Sequence, residues 1–302
     1  MKLFRRRHLF ALAALLGAGC ERAKAPAASE STAVTPSAVP ESSATGPTAT
    51  TGWNPSAGRL LLVVGESPSQ ALVYLPDSAT ASAEISALPH PASVSLFSRA
   101  GTVQAADLPD VIDTSGCYTA TLNAAPPPRA WNAGFVGGVV APVRLDSTES
   151  IPRADSAALV VQVARLASAL PNDPAGRFAG LPFVVGSLWR FDLPDGTQAL
   201  IANTTRQINQ EATPLQERTL LVAEHKAGAS DSSFATVYSE RSYGDEETIE
   251  SHDVVAVVLL GENRTPALVV SRDFGDSTAY AIIERGTDGL WHARWTSARR
   301  HC

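Results

Sequence analysis

From Phe183 to Thr296 apolar and polar residues alternate with a period of two, broken at short intervals by turn residues, and that pattern admits little besides antiparallel strands joined by hairpins. Trp189, Phe191 and Leu193 alternate with Arg190 and Asp192, and Pro194-Asp195-Gly196 turns the chain into a return strand through Leu200 and Ala202. Thr219–His225 and Phe234–Ser239 read as the next pair. His252–Leu260, Ala267–Arg272, Thr278–Glu284 and Trp291–Thr296 follow, separated by Glu262-Asn263-Arg264, Phe274-Gly275-Asp276 and Asp288-Gly289. One continuous meander is the simplest outcome. On strict alternation it places Trp291 and Trp295 on the same face.

Upstream, Leu60–Val64 and Ala71–Leu75 read as strand, turn and strand, and Ser93–Phe97 as a half-buried strand. Two or three short strands fit between Thr102 and Leu122, the last containing Cys117 and Tyr118. Pro126-Pro127-Pro128 fits neither a helix nor a central strand and marks a seam. Trp131–Leu145 reads as a further strand pair with glycines at Gly134, Gly137 and Gly138. A single long helix follows, because Leu159, Val160, Val163, Leu166, Ala167 and Leu170 share a face. Thr148 or Ser150 is positioned to cap it, Pro152 suits its first turn and Pro171 stops it. The expected fold is α+β and mostly antiparallel β, a hairpin meander with one long amphipathic helix packed on a sheet. The expected division is an N-terminal β subdomain over 58–128 and a helix plus meander over 129–302, packed as one compact unit.

The first residues carry a different signal. Lys2, Arg5, Arg6 and Arg7 precede an apolar core from Leu9 to Leu16, and the run closes on Gly17-Ala18-Gly19-Cys20. That core is far short of the roughly 20 residues that span a bilayer, and the order basic, apolar, small is that of an export signal. The ending resembles the lipobox of bacterial lipoprotein precursors, with Gly17 where leucine is usual. Arg6-Arg7-His8-Leu9-Phe10 also resembles a twin-arginine export signal. The lipobox resemblance implies a signal peptide over 1–19, acylation of Cys20, and an address on the periplasmic face of the inner or outer membrane. Residues 20–57 then form a disordered tether, since the stretch is almost wholly Ala, Pro, Ser and Thr and buries nothing that offsets ordering entropy.

With Cys20 taken by lipid, Cys117 and Cys302 remain, and in an oxidising compartment an even remainder of two predicts one disulfide. The formal charge of −6 argues against a nucleic-acid partner, which requires clustered Lys and Arg. The membrane is expected as a partner through the lipid alone, together with a protein or envelope polymer. No cofactor or metal motif is present. Glu224-His225 and His252-Asp253 converge on a metal only if their strands are neighbours. Glu211, Glu217, Glu224, Glu240, Glu246, Glu247 and Glu250 make 211–250 the most acidic stretch, which raises a hydrolase as the alternative to a binding or structural envelope component. Glu246, Glu247 and Glu250 read more simply as a solvated turn. An enzyme requires a pocket where two or more of Glu211, Glu217, Glu224, His225 and His252 meet.

Overall fold

The computed structural model describes residues 52–77, 80–173, 175–209, 214–226, 228 and 233–302. The expected signal peptide, Cys20, residues 21–51 of the expected tether and Glu211 lie outside the described residues. Residues 52–57, expected in the tether, pack on the body instead, because Trp53 and Ala57 have apolar surface to bury: the Gly52 N–H donates to the Arg294 carbonyl, Trp53 meets Trp295 edge-on and Ala57 is buried. Among the described residues the strands form three antiparallel sheets, and no helix is long and apolar enough to cross a membrane.

The first sheet uses β1 (Leu60–Val64), β2 (Gln70–Tyr74), β3 (Ala92–Phe97), β4 (Val103–Leu108), β5 (Ile112–Thr114), β6 (Cys117–Thr121) and β7 (Ala133–Val136), with the short helix α1 (Ala81–Ser86) between β2 and β3. Its order is β4-β3-β7-β1-β2-β6-β5. β7 follows the Pro126–Pro128 stretch yet inserts between β3 and β1. The first sheet therefore continues past the expected boundary at 128, and the prolines are a connector within it. The residues after Trp131 do not pair with one another as expected. β7 belongs to the first sheet, β8 (Val140–Val143) to a second and β9 (Asp146–Ser147) to a third, so one short segment stitches all three together.

Helix α2 (Arg153–Ala169) follows, then β10 (Val184–Asp192), β11 (Gln198–Ile208), β12 (Leu215–His225) and β13 (Ala235–Asp245), which form the third sheet in the order β13-β12-β11-β10-β9. The second sheet comprises β14 (Ser251–Leu260), β15 (Thr265–Asp273), β16 (Thr278–Arg285) and β17 (Trp291–Thr296), in the order β17-β16-β15-β14-β8. The expected single meander is thus two four-stranded meanders in separate sheets.

The second sheet lies between the other two. Leu61, Tyr74, Phe97 and Phe135 of the first sheet pack on Val258, Val269, Ile282 and Trp295 of the second. The opposite face of the second sheet, with Val257, Leu268, Val270 and Ile283, packs on Ile201, Leu220 and Val222 of the third. Burial on both faces explains why Val254–Leu260 is an unbroken apolar run rather than an alternation. A register shift between Ile282 and Ile283 against β17 puts Trp291 and Trp295 on opposite faces, Trp291 toward the third sheet and Trp295 toward the first. One extra residue reverses the pleat, which is why strict alternation misplaces the pair.

The far face of the third sheet takes α2, through fully buried Val163 and Ala167, with Leu159, Val160, Leu166 and Leu170 only partly covered. No side chain caps its start, and Pro152 itself stands at the N-cap. The Ser150 hydroxyl donates instead to the Ser147 carbonyl. Leu170 turns extended ahead of Pro171, as a residue before proline must.

Gly58 joins the layers where the chain enters β1. Its φ is +86°, and a Cβ there would lie 2.2 Å from the Val136 carbonyl oxygen and 2.5 Å from the Gly138 nitrogen. Both contacts are with backbone, so neither neighbour yields cheaply. Gly58→Ala is expected to cost about 2–4 kcal/mol from strain and overpacking together, read as a lower urea midpoint.

Candidate functional site

Four of the acidic residues that the sequence singles out, Glu217, Glu224, Glu240 and Glu250, are distributed among three separate clusters. Glu217 lies on the outward face of β12, fully buried, with Arg206 at 2.7 Å and Arg241 at 3.6 Å. Arg206 also donates to the Phe178 carbonyl and lies over the Phe183 ring. Glu224 lies on the inward face of the same strand and accepts both arms of the Arg285 fork at 2.8 Å and the Trp291 indole N–H at 2.7 Å. His225 packs beside Phe234. Glu246 and Glu247 are exposed in a turn, as expected, whereas Glu250 is buried. Glu217 and Glu224 do not converge, since successive positions on a strand face opposite ways. β12 and β14 lie in different sheets, so the Glu224-His225 and His252-Asp253 pairs are not strand neighbours.

His252 instead meets Glu240 and Glu250. Here the apolar layer between the second and third sheets ends in a polar cluster: Tyr238 and Glu240 from β13, Glu250 from the β13–β14 link, His252 from β14 and Arg272 from β15. The alternation carried this signal, because His252 and Arg272 occupy the same inward positions as Val254, Leu268 and Val270. Charged groups at inward positions of apolar strands are the ones that require partners.

Arg272 Nη2 lies 2.7 Å from Glu240 Oε1 and donates to Oε2 at 2.8 Å, while the Tyr238 hydroxyl donates to the same Oε2 at 2.7 Å. His252 Nε2 stands 3.4 Å from Glu250 Oε1 and 3.8 Å from Glu240 Oε1, with only 1% of its side chain exposed. Arg272 Nε stands 3.6 Å from the same Glu250 oxygen. None of these contacts has hydrogen-bond geometry, so His252 Nε2, Glu250 Oε1 and Arg272 Nε are buried without a hydrogen-bond partner. Burial works against ionised Glu240, but the His252 imidazole and the Arg272 charge outweigh it and bring the carboxyl down to about 2. Burial likewise opposes a charge on His252, and the facing carboxylates of Glu240 and Glu250 overcome it and raise its pKa. Burial, with the Glu240 charge added, pushes the Tyr238 phenol well above its ordinary range. A cleft of about 340 Å³ bordered by Asn203, Gln216, Arg218, Ser251 and His252 opens beside the cluster.

Among the described residues, Glu240, Glu250 and His252 are the group whose ligand-type atoms converge, all within 4.8 Å of one another. Two carboxylates and an imidazole form a borderline donor set, suited to zinc-class cations rather than to calcium. Cys117 and Cys302 form a disulfide with Cα atoms 5.8 Å apart, as expected. A cleft of about 430 Å³ lies against that bond, lined in part by Gln70, Ile112, Thr119, Thr121 and His301. Comparison of the chain with protein-family models, curated proteins and solved structures finds no match.

Proposed function

We propose that this protein is a lipid-anchored extracytoplasmic lipoprotein of a bacterial envelope, held by Cys20 and acting as a binding or structural component. The observation that carries the reading is the Cys117–Cys302 bond. It uses both cysteines of the described region, which suits an oxidising compartment, and leaves Cys20 as the one thiol for an anchor. Of the acidic residues in 211–250 that the hydrolase alternative draws on, Glu217 and Glu224 are each occupied by arginine and lie on opposite faces of β12, which favours the binding or structural role.

The test is the intact mass of the mature chain from its native host and the fractionation of Cys20→Ser. The expected result is a chain that begins at a diacylated Cys20, with the variant lost from the membrane fraction. A mature chain beginning elsewhere, or a variant that stays membrane-bound to the same extent, would overturn the proposal.

A further inference from the structure

The geometry points to a binding site for one zinc-class divalent cation at Glu240, Glu250 and His252, where the layer between the second and third sheets ends. Two independent observations meet there. The first is convergence. Four ligands around zinc at 2.0–2.2 Å lie about 3.3–3.6 Å apart, and His252 Nε2 is already 3.4 Å and 3.8 Å from its two carboxylate neighbours. The ligand atoms of all three residues lie within 4.8 Å of one another, so a central ion requires side-chain movements of up to about 1.5 Å.

The second is the unpartnered atoms. His252 Nε2 and Glu250 Oε1 belong to side chains more than nine-tenths buried, aim at one another and make no hydrogen bond. Burial of a polar atom in that state is costly and calls for an explanation. Arg272 faces both carboxylates, Glu240 at 2.7 Å and Glu250 at 3.6 Å, and its single charge offsets one of the two, so a neutral imidazole leaves the cluster one negative charge in excess. A dication carrying one hydroxide in its open position closes the balance: two carboxylates and the hydroxide against the guanidinium and the metal. The cleft bordered by Ser251 and His252 adjoins the cluster on one side, although Glu240 and Glu250 do not line it. A protonated imidazole balances the same charge and is the competing arrangement.

The test is titration of chelator-treated full chain, disulfide intact, with Zn²⁺ by calorimetry and with Co²⁺ by visible absorption. The expected result is one equivalent at micromolar affinity or tighter and an intense four-coordinate cobalt band. Affinity should fall at least about 10-fold in Glu250→Gln and His252→Gln and stay unchanged in the exposed-site control His292→Gln. Absence of saturable uptake at millimolar metal, or equal affinity in all three variants, overturns the site. If the two inward variants fail to fold, the unmodified protein decides, because a weak six-coordinate cobalt spectrum alone also overturns it.

Discussion

Replacement of Cys117 and Cys302 together by serine is expected to lower stability by about 5 kcal/mol, and the melting temperature by about 10–20 °C, in scanning calorimetry and urea titration. The magnitude follows from the sequence separation of 185, which makes this a long loop for one bond to close. Little of the effect should come from the native state, because the end of the chain is held in other ways. Arg300 donates to the Val73 carbonyl at 3.1 Å, lies over the rings of Tyr74 and Tyr118, and bridges to Thr278. His301 Nδ1 is 2.8 Å from the Asp276 carbonyl oxygen. With those contacts intact, the serine variant should keep its near-UV dichroism and show a larger denaturant slope, since its unfolded chain is free to expand. A loss below about 1 kcal/mol would show that the unfolded chain keeps its ends together without the bond.

The strand pattern was legible in the sequence because each half-buried strand declares itself by alternation, and the turns by Gly, Pro and Asp. Every strand expected after Phe183 is present, although β12 and β13 run several residues further than their apolar runs suggest. Sheet membership was not legible. β7, β8 and β9 are too short to carry a signal for their partners, and the choice to join three different sheets is made by long-range pairing. The reversal between Trp291 and Trp295 was hidden for a similar reason, since a bulge is visible only in the register of two strands. The site was half legible. His252, Glu240 and Glu250 stood out as chemistry-bearing residues, but the sequence grouped Glu250 with the solvated Glu246 and Glu247. What buries it is the turn at Asp245–Thr248, where the Asp245 carboxylate accepts from the backbone N–H groups of Glu247 and Thr248 and swings Ile249 and Glu250 inward.

Glu217→Ala is expected to cost about 3–5 kcal/mol, comparable with loss of the disulfide but by the opposite route, through the native state alone. Glu217 is the anion of a buried triad, and its removal leaves Arg206 and Arg241 facing one another in an environment that hydrates neither. Arg206 has no escape, because its guanidinium is enclosed by the Phe178 and Phe183 rings and the Phe178 carbonyl. The triad thus fixes the segment around Phe178 onto the outward face of the third sheet, beside α2. If uncompensated charge is the cause, a second substitution should relieve it: Arg206→Met/Glu217→Met should be more stable than Glu217→Met alone. The measurement is a double-mutant cycle in urea. A double variant no better than the single one would show that the loss arises from packing around the rings rather than from charge, since then the arginine contributes through its contact with Phe183 and not as a counter-ion.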